Sequence, residues 1–280
     1  MEPVAGAQPL NKAEIEKGLQ CLPAMSITVT QLLELTQQDG SDVEQVARTV
    51  AQDPALSARL LRVANSPFFG LAGEIDSINQ ACMVLGMNTV RNLAVAVGVG
   101  SCFNNDRNEQ ASLWRLAMEK AVAAQALARR CGQNSEVAFT AGLLRDLGKM
   151  VMLSCFAEAM QKTIAYQNAH GCDLNLAEQA IFGMNHRELG GMLAKLWGLP
   201  LLIRQVIAGQ HEAAEAELQP MLDIVTLVDL LCSGVDMDSA DGLFQSLPQA
   251  LVMRLGLDSE SVGAWLKDVE ANRSMADLLV

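Results

Sequence analysis

Asp53-Pro54-Ala55-Leu56-Ser57-Ala58-Arg59-Leu60-Leu61-Arg62-Val63-Ala64-Asn65-Ser66-Pro67 contains a whole helix, with its start, its buried face and its stop. The aspartate offers an acceptor to the first unpaired amide groups, and proline at the first helical position has no N–H to leave unpaired. Leu56, Leu60, Val63 and Ala64 then step by three and four residues along one face. Asn65-Ser66-Pro67 ends the run, because the residue before a proline is pushed out of the α region.

The same grammar recurs along the chain. Ser41-Asp42-Val43-Glu44, Ser77-Ile78-Asn79-Gln80 and Asn175-Leu176-Ala177-Glu178 each set a short polar acceptor three residues before Glu or Gln, the capping-box spacing. Apolar residues at helical period predict further helices near 28–38, 77–84, 88–99, 111–131, 137–152, 156–169, 175–182, 186–196, 200–208, 220–232, 243–254 and 260–270. No alternating run of strand length interrupts them. Composition agrees: 50% of the 280 residues are hydrophobic but only 4% aromatic, with 14 methionines, the make-up of helices rather than of a sandwich or barrel. The expected fold class is all-α.

Charge and segment length narrow the function. Twenty basic against 32 acidic residues give a net charge of −12, which offers no broad electrostatic footprint to nucleic acid or to an anionic membrane. The start, Met1-Glu2-Pro3-Val4, has neither the basic nor the apolar region of a signal peptide. The longest apolar stretch, Leu93 to Cys102, is broken by Gly98 and Gly100 and is too short for a membrane span. Seven dispersed cysteines without a C-x-x-C pair read as reduced thiols serving as filler. A cytoplasmic protein is expected, with no nucleic-acid or membrane partner.

The polar run Asn104-Asn105-Asp106-Arg107-Asn108-Glu109 is the candidate linker, dividing an N-terminal helical lobe (1–108) from a longer lobe (109–280). The acidic residues Asp236, Asp238, Asp241, Asp258, Glu260, Asp268 and Glu270 mark a helical appendix on the second lobe.

Phosphate-loop and zincin look-alikes fail on spacing. Gly142-x5-Gly148-Lys149 is one residue too long for a P-loop, and His211-Glu212-Ala213-Ala214-Glu215 lacks the second histidine of a zinc helix. The three histidines, His170, His186 and His211, nevertheless fall within 42 residues. Hard divalent ions require imidazoles and carboxylates converging from several helices, which makes Asp146, His186, His211 and Asp229 the candidate metal ligands. Asp146 and Asp229 each interrupt an apolar helical stretch, and a core-facing aspartate needs a cation, hydrogen bonds or a metal. His186 also follows Asn185 at a helix start, with Glu188 placed to close a capping turn, which gives it a structural role instead.

Together these residues resemble the HDOD family, the HD-related output domains of the HD phosphohydrolase superfamily. The resemblance rests on Leu22-Pro23, the string Asp53 to Pro67, Leu85-Gly86 and Val90-Arg91-Asn92-Leu93. It continues through Ala141 to Lys149, Gly183-Met184-Asn185-His186-Arg187-Glu188-Leu189-Gly190 and Trp197-Gly198-Leu199-Pro200, and spans residues 15 to 255. It implies a two-lobe helical bundle. Catalytic HD proteins hold metal with an early histidine, an adjacent His-Asp pair and a late aspartate. Here Leu116 stands at the early position, Arg145 replaces the histidine of the pair, and Gln210 stands where a second histidine is common, while Asp146, His186, His211 and Asp229 match.

Arg145 brings a permanent cation where a Lewis-basic nitrogen is needed, and it is positioned to pair with Asp146. The resemblance with these departures implies a non-catalytic regulatory module of signal transduction, with no cofactor, acting on signalling proteins in trans. The alternative is a metal-dependent phosphohydrolase or cyclic-nucleotide phosphodiesterase using iron, manganese or magnesium through an altered ligand set. A third role follows from Arg145 and Lys149, one helical turn apart, which could grip an anion such as a nucleotide phosphate.

Overall fold

The computed structural model describes residues 9–20, 22–35, 42–65, 75–103, 108–209, 218–232 and 240–271. Among these residues there are helices and no strands, so the all-α expectation holds. The first lobe contains α2 (Ile27–Leu35), α3 (Val43–Ala51), α4 (Pro54–Ala64), α5 (Ile78–Leu85) and α6 (Met87–Gly100), with α6 packed against the other four. The second lobe is organised by α7 (Asn108–Arg130), which packs along α8 (Ser135–Leu144) and also carries α14 (Gln219–Cys232) and α17 (Ser259–Ala271). Around this spine lie α9 (Leu147–Cys155), α10 (Ala157–His170), α11 (Leu174–Phe182), α12 (His186–Leu196) and α13 (Leu201–Ala208). Among the described residues, no helix is long and apolar enough to cross a membrane.

Local chemistry explains most helix ends. Asp53 accepts from the Leu56 amide at 3.0 Å with Pro54 at the first helical position, as its spacing requires. Asn185 and Glu188 form the reciprocal capping box at the head of α12. Asn175 does not cap α11. Asp173 does so, and Glu178 is drawn into the core, because a fully buried carboxylate there finds His186 as a partner. Ser77 caps α5 as expected, while the cap of α3 is Asp42, and Ser41 lies outside the described residues.

Asn65 acts as a polar stitch at the end of α4. Its Nδ2 donates to the carbonyls of Leu61 (3.0 Å) and Ile75 (2.7 Å), and its Oδ1 accepts from the Ile75 amide at 3.0 Å. Asn65→Ala would strand both polar groups of Ile75, and is expected to cost about 1–3 kcal/mol in denaturant unfolding. A cost below about 0.5 kcal/mol would show that the stitch is dispensable. Ser66 and Pro67 lie outside the described residues.

Two predicted helices are each split. The run expected over 137–152 breaks at Arg145 and Asp146 into α8 and α9, and that over 243–254 breaks at Leu247-Pro248 into α15 (Ala240–Ser246) and α16 (Gln249–Arg254). Apolar periodicity continues across the first break because both sides face one core, so the pattern alone does not register it. α1 (Lys12–Leu19), a short helix that the periodicity did not predict, packs on α9, where the Phe156 ring lies against Gly18.

The reading of the cysteines needs one correction. Cys155, at the end of α9, is disulfide-bonded, whereas Cys82, Cys102, Cys131, Cys172 and Cys232 are free thiols. Sequence spacing does not reveal such a pairing, because the fold rather than the chain brings the sulfurs together.

The Val90-Arg91-Asn92-Leu93 motif lies at the contact between α6 and α8. Asn92 Nδ2 donates to Glu136 Oε2 at 2.6 Å, and Arg91, facing the same carboxylate, donates to the Leu35 carbonyl at 3.1 Å. All three side chains are buried, so this polar bridge locks the register of the two helices. Near the C-terminal end, Trp265 of α17 is fully buried and donates to the Ala123 carbonyl of α7 at 2.9 Å, and Arg130 meets Asp268. Of the candidate linker, residues 104–107 lie outside the described set, as do Asp236 and Asp238 of the appendix.

Candidate functional site

The break between α8 and α9 places Asp146 at the head of α9, with φ −99° and ψ 21° and without a side-chain cap bond of its own. Its carboxylate instead turns to two lysines. Lys120, from the middle of α7, bonds Asp146 Oδ2, and Lys149 reaches Asp146 Oδ1 at 2.9 Å. Lys120 also donates to Asp229 Oδ1 of α14 at 2.8 Å, and Asp229 Oδ2 accepts from Arg145 Nε at 2.8 Å. The result is a chain of charges, Lys149–Asp146–Lys120–Asp229–Arg145, drawn from four helices or their ends.

This geometry corrects the pairing expected from sequence. Arg145 bonds Asp229 rather than its neighbour Asp146, and its Nη1 donates to the Val206 carbonyl. Adjacent residues at a helix break point their side chains apart, which leaves Asp146 to Lys120. Sequence reading did not single out Lys120. The available signal was a single lysine, next to Glu119, in the largely apolar and small-residue run Ala117-Met118-Glu119-Lys120-Ala121-Val122-Ala123-Ala124.

Burial makes the network strongly coupled. The side chains of Lys120, Asp146 and Arg145 are 7%, 4% and 3% exposed, Asp229 is 18% exposed and Lys149 23%. Desolvation opposes charge on Asp146 and Asp229, but the neighbouring cations outweigh it and hold both carboxyls below their ordinary range. Burial likewise opposes charge on Lys120, and the two aspartates overcome it, raising its ammonium above the usual lysine value. The Cys232 thiol, close to the same cluster, is pushed up to about 11, mainly by burial. Arg187, another residue that sequence reading passed over, lies close enough to Arg145, Asp229 and Asp146 to feel their charges. Gly209, which caps α13, packs against Arg187 and near Arg145.

The candidate metal ligands are distributed unevenly. Asp146 and Asp229 come together through Lys120. His186 is buried, but its Nδ1 faces Glu178 Oε2 at 2.7 Å, and the same oxygen accepts its backbone N–H at 2.8 Å. His211 lies outside the described residues. Among the described residues, no three His, Cys, Asp or Glu side chains gather as a metal-holding set. Leu116, on α7, is half-buried and lines a groove beside Lys149. Arg145 is turned inward, so of the candidate anion-gripping pair Lys149 alone stands on that groove.

A wholly helical two-lobe bundle with charged residues gathered where α8 breaks into α9 places the chain among HD-like helical proteins. It belongs to the HDOD family, whose domain matches residues 22–213. The fold superposes on an HDOD domain protein of unknown function from Geobacter sulfurreducens with a TM-score of 0.76, covering 94% of this chain and 96% of that one at 24% identity. Among curated proteins it is 23% identical over 252 residues to an uncharacterized protein of Treponema pallidum, covering 89% of this chain and 48% of the relative. It is also 29% identical over 143 residues to the cyclic di-GMP phosphodiesterase CdgJ of Vibrio cholerae, covering 50% of this chain and 32% of that protein. The chain thus spans about half or less of the length of these curated relatives.

Proposed function

We propose that this protein is a non-catalytic regulatory module of signal transduction that acts through contacts with other proteins, and that its HD metal site has been rebuilt as a structural ion network. The observation that carries this reading is Lys120, whose ammonium sits between the two aspartates that would otherwise share a metal. A cation in that place repels a divalent ion and uses the carboxylate oxygens that would coordinate it. Arg145 at the position of the paired histidine adds a second fixed positive charge, and His186 spends its Nδ1 on Glu178. The described donors, Asp146, Asp229 and His186, therefore do not fit a metal ion, and on this reading they would not supply a metal-activated water for hydrolysis. The net charge of −12 favours protein partners over nucleic acid, in keeping with a cytoplasmic module that acts on signalling proteins in trans.

Elemental analysis of the purified protein, with hydrolysis assays on cyclic di-GMP and a generic phosphodiester in added manganese, iron or magnesium, tests the proposal. The expected result is metal well below one equivalent and no divalent-dependent turnover. Stoichiometric metal, or turnover that Asp146→Ala abolishes, would return the protein to the phosphodiesterase class named for its Vibrio relative.

A further inference from the structure

Beside the ionic centre lies an open groove of about 540 Å³, within the size range of small-molecule sites. Its walls are Leu113 and Leu116 of α7, Leu153 of α9, Met160 and Ile164 of α10 and Leu174 of α11, with Ser112 of α7 beside them. Among the described residues, Lys149 is the single charged side chain lining it, and no aromatic ring does. The lysine connects the groove to the ionic centre through its bond to Asp146, which uses one of its three ammonium donors. Within that centre four described cations, Lys120, Arg145, Lys149 and Arg187, face three carboxylates, Asp146, Asp229 and Glu178, leaving one positive charge in excess among the described residues. Lys149 is more exposed than Lys120 or Arg145.

An apolar trough ending at one under-compensated cation matches a ligand with a single alkyl chain and a single negative charge. We propose that the groove binds a fatty-acid-like monoanion, with its carboxylate on Lys149 Nζ and its chain along the leucine, methionine and isoleucine wall. A nucleotide fits these walls poorly, since among the described lining residues no ring is present to stack on a base and one lysine must serve the whole phosphate. Binding would draw Lys149 partly from Asp146, so occupancy would be felt by α7, α9 and α14 through Lys120 and Asp229.

Calorimetric titration of the full chain with octanoate and decanoate, against decanol and AMP, tests this. Decanoate should bind saturably and about fifteenfold more tightly than octanoate, since each of its two extra buried methylenes contributes roughly fourfold in affinity. Ile164 is 40% exposed, so Ile164→Glu should leave the melting temperature unchanged while placing an anion in the groove. It should weaken decanoate by about tenfold or more. Lys149→Gln should reduce decanoate to the affinity of decanol, and if that variant does not fold, Ile164→Glu decides alone.

The proposal is overturned by any of four results: no saturable decanoate binding at about 1 mM, binding indifferent to Ile164→Glu, decanol binding wild type as tightly as decanoate, or AMP binding in preference. None of these outcomes bears on the metal and hydrolysis assays above, so the two readings stand or fall separately.

Discussion

Replacing Lys120 by methionine is expected to destabilise the protein by about 3–5 kcal/mol, because it leaves the buried Asp146 and the half-buried Asp229 without the cation they share. The change preserves much of the apolar stem, so a cavity contributes little. What remains is uncompensated charge: Asp146 loses Lys120 and keeps its bond to Lys149, and Asp229 loses Lys120 and keeps its bond to Arg145. Two further observations separate this from a packing defect. Adding Asp146→Asn to Lys120→Met should recover part of the loss, since one stranded charge is removed.

The deficit should also depend on pH. In the wild-type fold both carboxyls are held below their unfolded values, so their contribution is present above about pH 4 and is lost as pH falls through the lower folded values. The gap between wild type and Lys120→Met should therefore narrow in acid. Unfolding in denaturant from about pH 3 to 7 reads this directly, and a gap constant across that range would rule out the charge network as its cause.

Gly148→Ala is expected to be equally damaging, for a purely steric reason. A Cβ at Gly148 would lie 1.7 Å from the His186 carbonyl oxygen and 2.9 Å from the Gly190 amide nitrogen, both backbone atoms that no rotamer change can move aside. α9 and α12 touch backbone to backbone at this point, and Gly190 supplies the matching absence of a side chain. Parting them would disturb Lys149, Asp146 and His186 together. A loss of about 3 kcal/mol or more is expected, lowering the melting temperature by on the order of 10 °C. Gly191→Ala is the control, since its nearest neighbour is the Ala208 side chain at 3.2 Å and alanine is the better helix former. Near-equal stability of the two variants would show that the α9–α12 contact can relax.

The residues that made the site readable were polar ones in apolar company. Asp146 and Asp229 interrupt hydrophobic helical runs, and the cost of burying a lone carboxylate requires each to have a partner. Their importance was therefore legible, but their partners were not. Lys120 is 26 and 109 residues away along the chain, and nothing in the spacing of α7 distinguishes it from a surface lysine. Glu178 shows the opposite error: it stands at capping spacing from Asn175, yet tertiary burial sends it to His186.

By itself the sequence determined the helical class, the cap and proline that begin α4, and the capping box that starts α12. All of these follow from local rules, in which a residue's neighbours within a turn or two set its role. Only the tertiary structure decided that α8 and α9 are two helices, that Arg145 answers Asp229, and that Lys120 occupies the space between two aspartates. Those outcomes depend on which distant side chains share one desolvated volume, where a charge must be balanced by whatever the fold brings near.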